Sequence, residues 1–157
     1  MARALLSIFL ALIVAGAAFA DTLTYENSRF GTRISFPADI FDRIDPAPAN
    51  GDGRRFRSAD GAELAVFGHF NALDMTPETL IEQARSDATS KSREVTYAAS
   101  GADWAVLSGH EDSMIFYERH EFGADSVIHV MVLRYPESLH ATYDALAGII
   151  ARSLAGP

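Results

Sequence analysis

Polar and apolar positions alternate in two short β-rich runs, 22–25 and 33–36, on either side of the polar turn Asn27-Ser28-Arg29-Phe30-Gly31. That pattern predicts an opening hairpin. Pro37 ends its second strand, because proline has no N–H to give to a ladder. Two further runs, 54–58 and 63–70, are joined by Ser58-Ala59-Asp60-Gly61, and Asp-Gly between β-rich runs is a strong hairpin signal. Between the hairpins, residues 45–53 hold two prolines, an Asn-Gly and an Asp-Gly, so the chain is expected to turn there in contact with water.

The period changes at Thr76-Pro77-Glu78, which offers a capping hydroxyl, a proline where no N–H is needed and an acid for the first turn. Leu80, Ile81, Ala84 and Ala88 then fall on one side, which predicts a helix over 77–90 packed on a sheet. Strands follow at short intervals, over 95–100, 104–110, 114–122 and 127–135, with separators short enough for antiparallel neighbours. The run from Val127 to Leu133 is apolar on both faces apart from His129, the pattern of a central strand covered on both sides. After Pro136, the positions Leu139, Tyr143, Leu146, Ile150 and Leu154 step by three or four and predict a closing helix over 138–154. Helices covering an antiparallel sheet define an α+β class, and no repeat or long linker divides residues 21–157 into more than one domain.

The first 20 residues are of another kind. Arg3 gives a charged start, Leu5 to Val14 is apolar apart from Ser7, and Ala18-Phe19-Ala20 places small residues before Asp21. This is the pattern of a secretory signal peptide cut after Ala20. The apolar stretch, about 16 residues, is short of the roughly 20 that span a bilayer, so no stable membrane insertion is expected after cleavage. The chain has no cysteine, which removes disulfides, thiolate chemistry and lipid attachment at the cleavage point. Its net charge of −8, one unit more negative once Arg3 is lost, argues against nucleic acid as a partner. Lys91 is the sole lysine, an arginine-heavy usage typical of GC-rich bacterial genomes, and the expected location is the periplasm or the medium beyond it. No phosphate-binding glycine loop of either common type is present.

The order of elements carries a resemblance. A strand pair around Tyr25-x-Asn27-x-x-Phe30-Gly31 leads to Phe36-Pro37, a Thr76-Pro77-Glu78 helix start sits between two sheet segments, and the chain closes through Tyr135-Pro136, Tyr143-Asp144, Ile149-Ile150 and Ser153-Leu154. This is similar to the PsbP-like superfamily, whose α/β/α sandwich is shared with a nuclear-import factor that binds the GTPase Ran. The segment Asn50-Gly51-Asp52-Gly53-Arg54-Arg55-Phe56-x-Ser58-x-Asp60-Gly61 also resembles a stretch of uncharacterised exported bacterial proteins. The resemblance implies a PsbP-like sandwich that works by binding another protein. A fold does not fix a function.

If Gly123 to Ser126 forms a four-residue loop, Phe122 faces Val127 and His120 faces His129, and Glu118 on the same face as His120 would complete a His, His, carboxylate metal set. A one-residue slip removes that pairing. Asp45, Asp52 and Asp60 are a weaker calcium alternative, since the loop lacks a ligand at Pro48 and an acid at Ala59 where a calcium loop needs them. His69, His110 and His140 are scattered. Ser108, His110, Glu111 and Asp112 lie together, but no nucleophile elbow accompanies them, and Glu118 and Glu121 point to opposite sides of one strand. Arg54, Arg55 and Arg57 form a basic cluster suited to an acidic partner or to protecting an edge strand. Trp104, Phe67, Phe70 and Phe116 are expected in the core, with a helix over the Trp104 ring. The sequence therefore reads as an exported, non-catalytic binding or accessory module with no cofactor, its partner an envelope protein. The alternatives are a metal-binding protein or small envelope enzyme using His120, His129 and Glu118, and a small-molecule carrier.

Overall fold

The computed structural model describes residues 21–88 and 92–157. The expected export signal over 1–20 and the last residues of the helix expected over 77–90 lie outside them. The opening hairpin forms as expected, β1 (Thr22–Glu26) pairing antiparallel with β2 (Arg33–Pro37). After it come β3 (Arg43–Ile44), β4 (Gly53–Arg57), β5 (Glu63–Phe70), helix α1 (Pro77–Ala88), β6 (Arg93–Ser100), β7 (Trp104–Glu111), β8 (Met114–Phe122), β9 (Val127–Pro136) and helix α2 (His140–Ala151). The short β3 has no sequence signal, because it is two residues long and both are exposed.

β3 to β9 make one seven-stranded sheet in the order β3-β4-β5-β9-β8-β7-β6, and every pairing is antiparallel. β9 takes the middle place that its apolar run predicts. Its first half, Val127 to Met131, is buried on both faces, while Val132 and Arg134 are only half-buried. The difference follows from how the faces are covered. On one side, α2 and the β1–β2 hairpin pack over the sheet, and Ile34, Phe36, Phe56, Leu64, Leu133 and Tyr143 meet in the larger core. On the other side, α1 packs on β6 and β7 through Leu80, with Ala105, Leu107 and Phe116 beneath it. Among the described residues, no helix packs over the α1 side of β4 and β5.

Local chemistry sets the helix ends. Thr76 Oγ1 accepts from the Thr79 N–H at 3.3 Å, the Thr79 hydroxyl oxygen accepts from the Thr76 N–H at 2.8 Å, and Pro77 opens α1. α2 is shorter than the 138–154 that periodicity predicts. Glu137–Leu139 forms a 3-10 turn after Pro136, and the Ser153 hydroxyl, which donates to the Ile150 carbonyl at 2.7 Å, also accepts from the Ser35 N–H at 2.9 Å. Leu154 stays buried beyond the helix end, so its place in the apolar stripe comes from the core rather than from helical geometry.

Gly68 in β5 shows how closely the hairpin seats on the sheet. A Cβ there would stand 2.6 Å from both Phe30 Cβ and Thr32 Oγ1. We therefore expect Gly68→Val to push the hairpin off the sheet and to lower stability by about 2 kcal/mol, read as a reduced urea midpoint.

Candidate functional site

The β8–β9 loop decides where the predicted site residues stand. Gly123 and Val127 close the hairpin, with the Gly123 N–H donating to the Val127 carbonyl at 2.8 Å, and the loop proper is the three residues Ala124–Ser126. Asp125 and Ser126 both take positive φ, near 53° and 54°, as a loop this tight demands. The pairing is therefore Phe122 with Ile128, Glu121 with His129 and His120 with Val130. This corrects the expectation of a four-residue loop with His120 opposite His129. A shift of one residue moves a side chain to the other face, so His120 lies on the α1 side and His129 on the α2 side.

On the α1 side, Glu118 is the centre of a buried charge cluster. Its Oε1 meets the Arg93 guanidinium at 2.8 Å, its Oε2 lies 3.5 Å from His120 Nε2, and Arg93 stacks 3.7 Å over the Phe116 ring. Burial opposes ionisation of Glu118, but the His120 hydrogen bond and the Arg93 charge outweigh it and hold the carboxyl below its ordinary range. His129 has a different environment. It is 1% exposed, its Nδ1 shares a 2.8 Å hydrogen bond with the Thr32 hydroxyl, and Gly123 and Gly156 press against its ring. Burial lowers its pKa. Among the described residues, no three His, Asp or Glu side chains gather in a way that would hold a metal ion.

The other candidates are each engaged elsewhere. Asp45 takes the Arg57 guanidinium at 3.0 Å on both oxygens, Asp52 accepts from the Asn50 amide at 2.7 Å, and Asp60 accepts from the Ser58 and Tyr143 hydroxyls. The Ser58 hydrogen bond, with that from Tyr143, lowers the Asp60 pKa despite some burial. The three carboxylates weighed as a calcium alternative thus turn to separate partners rather than toward one another. Burial, reinforced by the bond to Asp60, lifts the Tyr143 phenol to about 12. The Ser108 hydroxyl donates to the Phe116 carbonyl at 2.9 Å, Glu111 pairs with Arg134 at 2.8 Å on the opposite face, and Asp112 sits in the β7–β8 turn with φ near 55°.

Aromatic placement departs from expectation at three positions. Phe116 is core, but Trp104 is half-buried outside both core clusters, its ring under the Arg119 guanidinium at 5.0 Å and against Gly101. Phe70 is 59% exposed and meets Phe30 edge-on at 5.2 Å. Phe67 is half-buried on the open side of β5.

That open side is concave. A cleft of about 410 Å³ runs between β4–β5 and the proline-bearing 45–53 loop, with Pro46, Pro48, Arg55, Ala65 and Phe67 in its walls. Arg57 is neutralised by Asp45 and Glu63, whereas Arg55 is exposed. Asn27 positions the far wall. It is buried, its amide donates to the Gly51 carbonyl at 2.9 Å, and its Oδ1 accepts the N–H groups of Arg29 and Phe30. Sequence reasoning takes Asn27 for a turn residue only. No sequence signal points to that role, because Asn27 and Gly51 are 24 residues apart and meet only in the fold.

No helix among the described residues is long and apolar enough to cross a membrane. No protein-family model matches the chain, and no curated protein is significantly similar to it. Among solved structures, the chain is similar to the solution structure of cyanobacterial PsbP (CyanoP) from Synechocystis sp. PCC 6803, with a TM-score of 0.62 at 15% identity over 90% of this chain and 96% of that one. It is also similar to the crystal structure of LpqN, involved in cell envelope biogenesis of Mycobacterium tuberculosis, with a TM-score of 0.48 at 12% identity over 87% and 90% of the two chains. The fold is PsbP-like.

Proposed function

We propose that the first 20 residues are a cleaved export signal and that the mature domain works in the bacterial envelope as a non-catalytic binding or accessory module for another protein. The observation that carries this is the uncovered half of the α1 side of the sheet. There, a cleft with Phe67 and Ala65 on its floor, two prolines on its rim and the exposed Arg55 at its edge offers an apolar centre with a charged margin. Protein interfaces are built that way, with aromatic and arginine anchors inside a polar rim. The binding energy would come from covering sheet that the domain's own helices leave bare.

The polar clusters fit the same account as parts of the scaffold. Arg93 and His120 both turn to Glu118 beside α1, and His129 is sealed behind the hairpin. Reactive groups poised for chemistry would need access that these lack.

Protein recovered from the envelope of its native host should begin at Asp21, checked by intact mass, and an uncut chain in the cytosol would overturn the location. A photo-reactive phenylalanine analogue at Phe67 should give one discrete crosslinked species in cells. The same group at Glu26, on the exposed edge of β1, should give none, and Arg55→Glu should weaken the Phe67 adduct. Equal labelling from both positions would remove the cleft as the docking face.

Glu118 gives a prediction on stability. Its folded pKa lies below the ordinary 4.5, so the ionised carboxylate favours the folded state above that pH, and the contribution is lost as acid protonates it. Glu118→Gln should therefore cost about 3 kcal/mol at pH 7, by leaving the Arg93 charge without its partner, and the gap to the parent should close in urea titrations below pH 4.5.

A further inference from the structure

The second uncovered region of the sheet is on the opposite face and at the opposite end. There, a groove of about 290 Å³ is bounded by Tyr97, Ser108, His110, Tyr117 and, from α2, Asp144. A β-bulge creates it. Val95 pairs with Gly109 and Tyr97 with Ser108, so Thr96 is an extra residue in β6, and Tyr97 is turned away from the α1 face that Val95 occupies. The result is a tyrosine 56% exposed on an edge strand, beside the half-buried Tyr117. The α2 wall of the groove has a carboxylate held in place. Asp144 Oδ1 accepts the Tyr135 hydroxyl at 2.8 Å, and the second oxygen is 3.8 Å from His140 Nδ1 on a side chain that stays largely in water.

From this geometry we infer that the groove between β6, β8 and α2 binds a neutral saccharide of one or two pyranose rings, with the Tyr97 ring as the stacking platform and Asp144 accepting sugar hydroxyls. The chemistry selects this class by elimination. An anion would meet the Asp144 carboxylate on a chain of net charge −8. A cation would find one carboxylate in the lining, Asp144, whose oxygens are already shared between the Tyr135 hydroxyl and His140. A purely apolar ligand would cover the Asp144 carboxylate, 59% of which is open to water, and strip that hydration without replacing it. A pyranose meets both demands. Its C–H face is weakly positive and lies well on the negative face of a phenol ring, while its rim of hydroxyls donates to a carboxylate. The volume is at the small end for small-molecule sites, which limits the ligand to a ring or two. This site is on the other face from the cleft around Phe67, so it stands or falls independently of protein docking there.

The test is a titration of the isotope-labelled full domain with cellobiose, maltose and N,N′-diacetylchitobiose, followed by amide chemical shifts, with spermidine and octanoate as cationic and anionic apolar probes. At least one sugar should shift the Tyr97, Ser108 and Asp144 amides saturably while spermidine and octanoate do not. Tyr97→Ala should weaken that sugar about tenfold, and Tyr97→Phe, which keeps the platform, should stay within about twofold. Tyr97 is exposed, so its removal leaves the core intact, and an unchanged thermal midpoint would show this. If no sugar of the three moves these amides, if spermidine or octanoate does so in their place, or if Tyr97→Ala binds as the parent does, the assignment is wrong.

Discussion

A sheet of seven strands is wider than the described helices and hairpin can cover. At about 4.8 Å per strand the sheet is roughly 30 Å across, whereas a helix with its side chains covers about 10 Å. With α1 on one face, and α2 and a hairpin on the other, full coverage of both faces is out of reach. The covered regions lie on a diagonal, α1 over β6 and β7, α2 and the hairpin over the β4, β5 and β9 side. Two bare regions remain, at opposite ends and on opposite faces. Both concave features discussed above fall in them, and the same constraint explains why β9 is fully buried for half its length and half-buried beyond.

Two single-residue events then decide what each bare region carries. A loop of three residues rather than four between β8 and β9 puts Glu118 and His120 under α1 and sends His129 to the other face. The extra residue at Thr96 turns Tyr97 from the α1 face to the groove. Each changes face assignment by the full period of a strand, so a small backbone difference has the largest possible chemical effect.

That is also where legibility in the sequence ends. The strand runs at 114–122 and 127–135, the hairpin around Asp60-Gly61 and the Thr76-Pro77-Glu78 helix start were readable, because period, turn residues and capping chemistry are local. The central place of β9 was readable from one apolar run. The facing of His120 and His129 was not, since it depended on a loop whose φ angles no residue type there dictates: Asp125 and Ser126 are left-handed without being glycine. Trp104, Phe67 and Phe70 lie outside the core for a related reason. Hydrophobicity says that a ring prefers cover, but only the number of covering elements says whether cover exists, and here it does not fully reach those three positions.

The cleft around Phe67 has a further property that follows from polar bonds rather than from coverage. Its outer wall, the 45–53 loop, would be a flexible segment if judged by its prolines and turn dipeptides alone. It is tied at several points along its length. Asp45 is held by Arg57 and by its own N–H to the Arg55 carbonyl, Asn50 and Gly51 carbonyls accept from Arg29 and Asn27, and the Asp52 carbonyl accepts from the Gly68 N–H at 3.0 Å. Pro46 and Pro48 restrict the free span between those anchors. A wall fixed in this way needs little ordering when a partner arrives, and the loop-ordering cost that commonly subtracts from the affinity of a surface cleft is largely met on folding.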